Sequence, residues 1–217
     1  VHEITKPALW EVNSKSRERG WRVSEQPIYD LAIPATTTGS IERPVRVGIN
    51  GYCDNIEHAA SILPMHIARG SDSEKDKLRQ TGYQLFYTPQ SGTVKAGWQF
   101  VKQLGKKTSS ADDKEAGRIL ASYMQDAHQR SLYVEWTSHR GGSAILTEAM
   151  RCLKQGNINL EGKQRIFLSD HTSSHYEADI ARRAIGMDVR DTQWFNSAPG
   201  LPQLLGGQKL GAATIAC

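Results

Sequence analysis

The stretch YVEWTSHRGGSAILTEAM, residues 133–150, reads as a strand that runs into a sharp turn and then a helix. That order is the layout of a nucleophile elbow, in which a small residue, any residue, the nucleophile, any residue and a glycine follow one another. Sterics set the spacing, because the central residue sits in a strained backbone turn where larger neighbours would collide. Counting back from the paired Gly141 and Gly142 puts His139 at the apex, with Ser138 before it and Arg140 after it.

Outward from the turn, strands and helices alternate. RPVRVGIN (43–50) is a short strand, and in NIEHAASILPMHIARG (55–70) the residues Ile56, Ala59, Ala60, Leu63 and Ile67 fall at helical spacing before Gly70. GYQLFYTP (82–89) is a strand closed by Pro89. DDKEAGRILASYMQDAHQR (112–130) sets Ala116, Ile119, Leu120, Tyr123, Met124 and Ala127 on one face. SLYVEWTS (131–138) is the third strand, SAILTEAMRCL (143–153) the third helix and KQRIFLSD (163–170) the fourth strand. Such apolar strands joined by helices predict a mostly parallel sheet flanked by helices on both faces, so the fold class is α/β. Residues 1–44, punctuated by Pro7, Pro27, Pro34, Pro44 and PATTTGS (34–40), read as an irregular N-terminal lead-in to a domain at 45–217. TQWFN (192–196) reads as a further strand.

Composition narrows the function classes. The 217 residues suffice for one sizeable core, and 38% hydrophobic with 23% charged residues and a mean hydropathy of −0.52 place the chain among soluble globular proteins. No apolar run approaches the roughly 20 residues of a membrane helix, so no transmembrane segment is expected. The net charge is +4, yet lysines and arginines are interleaved with acids in SEKDKLRQ (73–80) and SSADDKEAGR (109–118). With no basic stripe, no nucleic-acid partner is expected. Cys53, Cys152 and Cys217 lack metal-ligand spacing, and their odd number predicts reduced thiols. Nothing near Val1 looks like a signal peptide, so localisation is not read from the N-terminus.

The segments VRVGINGYCDNIEHAASIL (45–63), GYQLFYTPQSG (82–92) and VEWTSHRGGSAILTEAM (134–150) together resemble bacterial lipase- or esterase-like α/β-hydrolases, including those of secreted effectors and toxins. The likeness covers roughly residues 45–200 and rests mainly on the elbow, which in that family often reads His-Ser-Gln-Gly-Gly. It implies an α/β-hydrolase-like three-layer sandwich, an ester or lipid acyl substrate, and no cofactor. Aligning the paired glycines puts Arg140 in the glutamine position, His139 in the serine position and Ser138 in the histidine position. Ser138 points the other way along the strand and Ser143 lies inside the first helical turn, so neither replaces the missing serine well. His139 could act as nucleophile or general base, since imidazole changes charge near neutral pH. Acyl-histidine is nevertheless rare in acyl transfer, and a turn histidine can simply form hydrogen bonds.

A second constellation, LSDHTSSHYEAD (168–179), follows the fourth strand. His171 and His175 are four apart, with Asp170 and Asp179 flanking them, which would suit a metal if the segment were helical. Thr172 stands where HExxH needs glutamate, and a polar loop in which Asp170 or Ser173 caps the helix HYEADIARRAIG (175–186) is the preferred reading, so no metal site is expected. The candidate acids for a triad are Asp170, Asp188 and Asp191, and no histidine follows His175. Two readings result. One is an acyl hydrolase using His139 with Asp170, His171 or His175, and with Ser138 as a further catalytic candidate, with oxyanion or binding groups at Asn50, Gly51, Tyr52, Arg140 and Gly141. The other is a catalytically inactive binding or effector domain on the same frame, with a protein partner or inhibitor.

Overall fold

The computed structural model describes residues 4, 6–16, 19–34, 40–53, 55–89 and 111–189. Their strands are β1 (Ala8–Ser14), β2 (Trp21–Val23), β3 (Val45–Cys53), β4 (Tyr83–Pro89), β5 (Val134–His139), β6 (Gln164–Ser169) and β7 (Asp188–Val189). The helices are α1 (Ile56–Ile67), α2 (Asp72–Thr81), α3 (Ala111–Gln129), α4 (Gly142–Gln155) and α5 (His175–Ala184). All seven strands share one sheet, in the order β2-β1-β4-β3-β5-β6-β7. From β4 to β7 neighbours are parallel, and β1 runs antiparallel to both β2 and β4.

Alternation along the strands divides the core in two. Val45, Val47 and Ile49 of β3 join Phe86, Val134, Trp136, Ile166 and Leu168 against α3, α4 and α5. On the opposite face Trp10, Val12, Tyr83, Leu85 and Tyr87 pack against Leu63 and Ile67 of α1 and Leu78 of α2. Helices therefore cover both faces of a mixed, mostly parallel sheet, an α/β architecture consistent with an α/β-hydrolase-like sandwich. Gly48 shows how closely α1 approaches: an added Cβ would stand 2.7 Å from Leu63 Cδ1. Asn55 starts this helix by accepting hydrogen bonds from the N–H groups of Glu57 and His58.

The segment expected as an irregular N-terminal lead-in carries β1 and β2. β1 lies inside the sheet, with Leu9 and Val12 fully buried. The chain that follows is pinned as well, since Tyr123 Oη and an Arg130 guanidinium nitrogen donate to the carbonyls of Ile28 and Leu31, each at 2.9 Å. The side-chain amide of Gln84 pairs with both backbone groups of Ala32. Cys152 is free as expected, but Cys53 is disulfide-bonded, which corrects the reading of reduced thiols throughout. Asp191 and the strand expected at 192–196 lie outside the described residues. Among the described residues no helix is long and apolar enough to cross a membrane.

Candidate functional site at the carboxyl edge of the sheet

Parallel pairing aligns three strand ends. Asn50 of β3, His139 of β5 and Ser169 of β6 are successive partners across the sheet. Immediately beyond, Arg140 and Asp170 each take a left-handed backbone conformation with φ of 47°. Non-glycine residues rarely hold this conformation, and it marks the sharp turn out of each strand. The Arg140 N–H donates to Ser169 O at 3.2 Å, which ties the two turns together.

The left-handed residue of the turn after β5 is Arg140, one position after the His139 that the glycine spacing puts at the apex. Around it the chain reads Ser138-His139-Arg140-Gly141-Gly142, with a small residue two positions to either side of Arg140. Packing explains the register. A Cβ at Gly142 would come 2.3 Å from Ile49 O, and one at Gly51 would come 3.0 Å from Gly141 Cα, so the start of α4 rests directly on the backbone of β3. Asn50 and Gly51 do flank the turn, as the sequence suggests, and Tyr52 continues β3. The pairing of β3 with β4 shifts register between Ile49 and Tyr52.

His139 consequently leaves the strand before the apex and points under the sheet toward α1. It is 2% exposed and stacks on His66, with ring centroids 3.9 Å apart and planes 27° apart. Its Nδ1 is buried without a hydrogen-bond partner among the described residues, and its Nε2 lies 3.9 Å from Asp170 Oδ2. His66 Nδ1 shares a 2.7 Å hydrogen bond with Ser169 Oγ and also lies 3.9 Å from Asp170 Oδ2. Ser138 points to the other face, fully buried, with no hydrogen-bond partner for its hydroxyl among the described residues.

Burial dominates the electrostatics. It holds His66 down at about 4, with Asp170 opposing the shift and Arg140 adding to it. His139 is lowered further, first by burial, then by His66 and Arg140. Both rings are neutral at pH 7. Among the described residues neither ring makes both contacts of a nucleophile relay. A triad base uses one nitrogen for the acid and the other for the nucleophile, whereas Ser169 and Asp170 both face Nδ1 of His66. Ser169 is also fully buried, and 3.9 Å is too long for His139 Nε2–H to donate an orienting hydrogen bond to Asp170.

The other expected residues separate. His171 and His175 do not share a helical face, because α5 starts only at His175, with Ser174 rather than Asp170 or Ser173 as its cap. Their rings meet edge to face with centroids 5.4 Å apart, and burial and the neighbouring His175 lower His171. Asp188 pairs with Arg165 at the amino end of β6, away from the edge. Ser143 is held in the first turn of α4 by hydrogen bonds to Arg140 O and Ser173 Oγ. His66 and Ser169 were not singled out from the sequence. The signal for His66 was its place beside Leu63 and Ile67 on the buried stripe of α1, where a histidine looks like ordinary core.

The class that fold and edge define is an α/β sandwich with an elbow-shaped turn after its fifth strand. No family model matches the chain, and no curated protein matches its sequence. Among solved structures it is similar to dienelactone hydrolase from Anabaena variabilis, at 13% identity over 93% of this chain and 94% of that one, with a TM-score of 0.32. At that overlap nothing about the site transfers, and the fold assignment rests on strand order and packing.

Proposed function

We propose that this chain uses its hydrolase-like frame as a binding or effector domain, with no acyl-transfer chemistry at the elbow. The observation that carries the reading is the left-handed Arg140 at the apex, where a hydrolase of this shape needs its nucleophile. A guanidinium is a donor and a fixed positive charge, not a nucleophile. It suits recognition of an anionic or polar group on a ligand or partner at the sheet edge. Support also comes from the burial of the other candidates, since Ser138, His139 and Ser169 are all at most 2% exposed.

The competing reading is an ester or lipid acyl hydrolase that uses His139 with Asp170, and the 3.9 Å approach of their polar atoms is what favours it. Turnover of short- and long-chain acyl esters separates the two. The binding reading expects hydrolysis no faster than buffer alone. Turnover that disappears in His139→Ala would establish the hydrolase instead.

A further inference from the structure

Beyond the elbow, His66, His139 and Asp170 form a group whose ligand atoms all lie within 4.8 Å of one another. We infer that these three residues are a binding site for a first-row divalent transition ion of the zinc or cobalt type. The donors come from three separate elements: the last turn of α1, the end of β5 and the turn after β6.

Three features point to a cation. His139 is 2% exposed, its Nδ1 has no hydrogen-bond partner among the described residues, and its Nε2 faces the Asp170 carboxylate at 3.9 Å. A buried imidazole nitrogen and a carboxylate facing each other beyond hydrogen-bond distance are groups that an ion between them would match. The spacing also fits an ion better than a hydrogen bond. His66 Nδ1 and His139 Nε2 are each 3.9 Å from Asp170 Oδ2. Donors around a tetrahedral ion with bonds of about 2.0–2.1 Å stand roughly 3.4 Å apart. Contraction of about half an ångström would bring each histidine into range of the carboxylate, and the two imidazole donors, within 4.8 Å of each other, would close by up to about 1.4 Å. Finally, two imidazoles and one carboxylate match the ligand preference of zinc and its neighbours, not that of calcium or magnesium.

Two features weaken the site and set the expected affinity. The rings must open from their stack, because nearly parallel imidazoles direct their lone pairs side by side. His66 must also release its hydrogen bond with Ser169. The Arg140 charge, which already disfavours protonation of both rings, opposes a dication, and the Asp170 carboxylate offsets it. Binding on the order of micromolar is expected, weaker than at a structural zinc centre. The inference is independent of whether the elbow binds or catalyses.

The test uses the full chain without a histidine tag, stripped by chelator and titrated with zinc, and with cobalt for its visible absorption. About one equivalent should bind, raise the melting temperature and give cobalt the absorption of a nitrogen-ligated ion. Asp170→Asn, which preserves size, and His139→Ala should each weaken binding at least about tenfold, while His175→Ala leaves it unchanged. Should His139→Ala fail to fold, Asp170→Asn decides. Absence of binding to the unaltered protein at about 100 μM ion would overturn the inference. So would loss of binding in His175→Ala, or its persistence in Asp170→Asn.

Discussion

A methyl group at position 142 would stand 2.3 Å from the carbonyl oxygen of Ile49. Neither the start of α4 nor the β3 backbone can give way cheaply, so Gly142→Ala should destabilise the protein by about 1–3 kcal/mol or more in urea unfolding. Gly48→Ala, whose new Cβ meets the movable end of Leu63, should cost less. The reverse order would mean that the elbow is not seated on β3. The same residue scale sets a pH dependence. Unfolded histidine takes up its proton near 6.5, whereas folded His66 does so only at about 4 and folded His139 lower still. Between these limits the unfolded state binds more protons, so stability falls as the pH drops from 6.5. Each ring contributes roughly 1 kcal/mol per pH unit. In chelator, denaturation midpoints should fall steeply between pH 7 and 5, and a flat profile would contradict the buried neutral pair. The sequence could not reveal either feature in full. SHRGG fits the elbow spacing in two registers, and only the backbone angle of Arg140 separates them.

At the scale of elements, legibility followed burial pattern. The strands and helices from β3 to α5 that have one continuous apolar stripe, or two covered faces and a breaker at the end, could be read directly. α2 could not, because DSEKDKLRQT buries only Leu78 and so offers no stripe. β1 was hidden for the opposite reason. Leu9 faces α3 and Trp10 the α1 side, both nearly fully buried, so the polar alternation of a half-exposed strand is missing. Its place between β2 and β4 makes Ala8–Ser14 an interior strand of the sheet. A chain beginning at residue 45 should therefore express as insoluble or molten material, without the near-ultraviolet circular dichroism of fixed aromatic packing. A cooperatively folding 45–217 fragment would show that the lead-in is dispensable after all.

For the whole molecule, the layout of polar groups separates shape from chemistry. The sheet order brings Asn50, His139, Arg140, Ser169 and Asp170 to one edge, as adjacent parallel strands predicted for most of them. The distribution of exposure at that edge was not predictable from sequence. Side-chain parity sends Ser138 and His139 to opposite buried faces and leaves the arginine at the turn. The central claim is that this turn carries no acyl-transfer nucleophile. Intact-mass spectrometry after prolonged exposure to a fluorophosphonate probe tests it most directly, because an activated serine forms a stable adduct. The account predicts an unchanged mass for the folded protein. A stoichiometric adduct mapped to Ser138, Ser143 or Ser169 would contradict it.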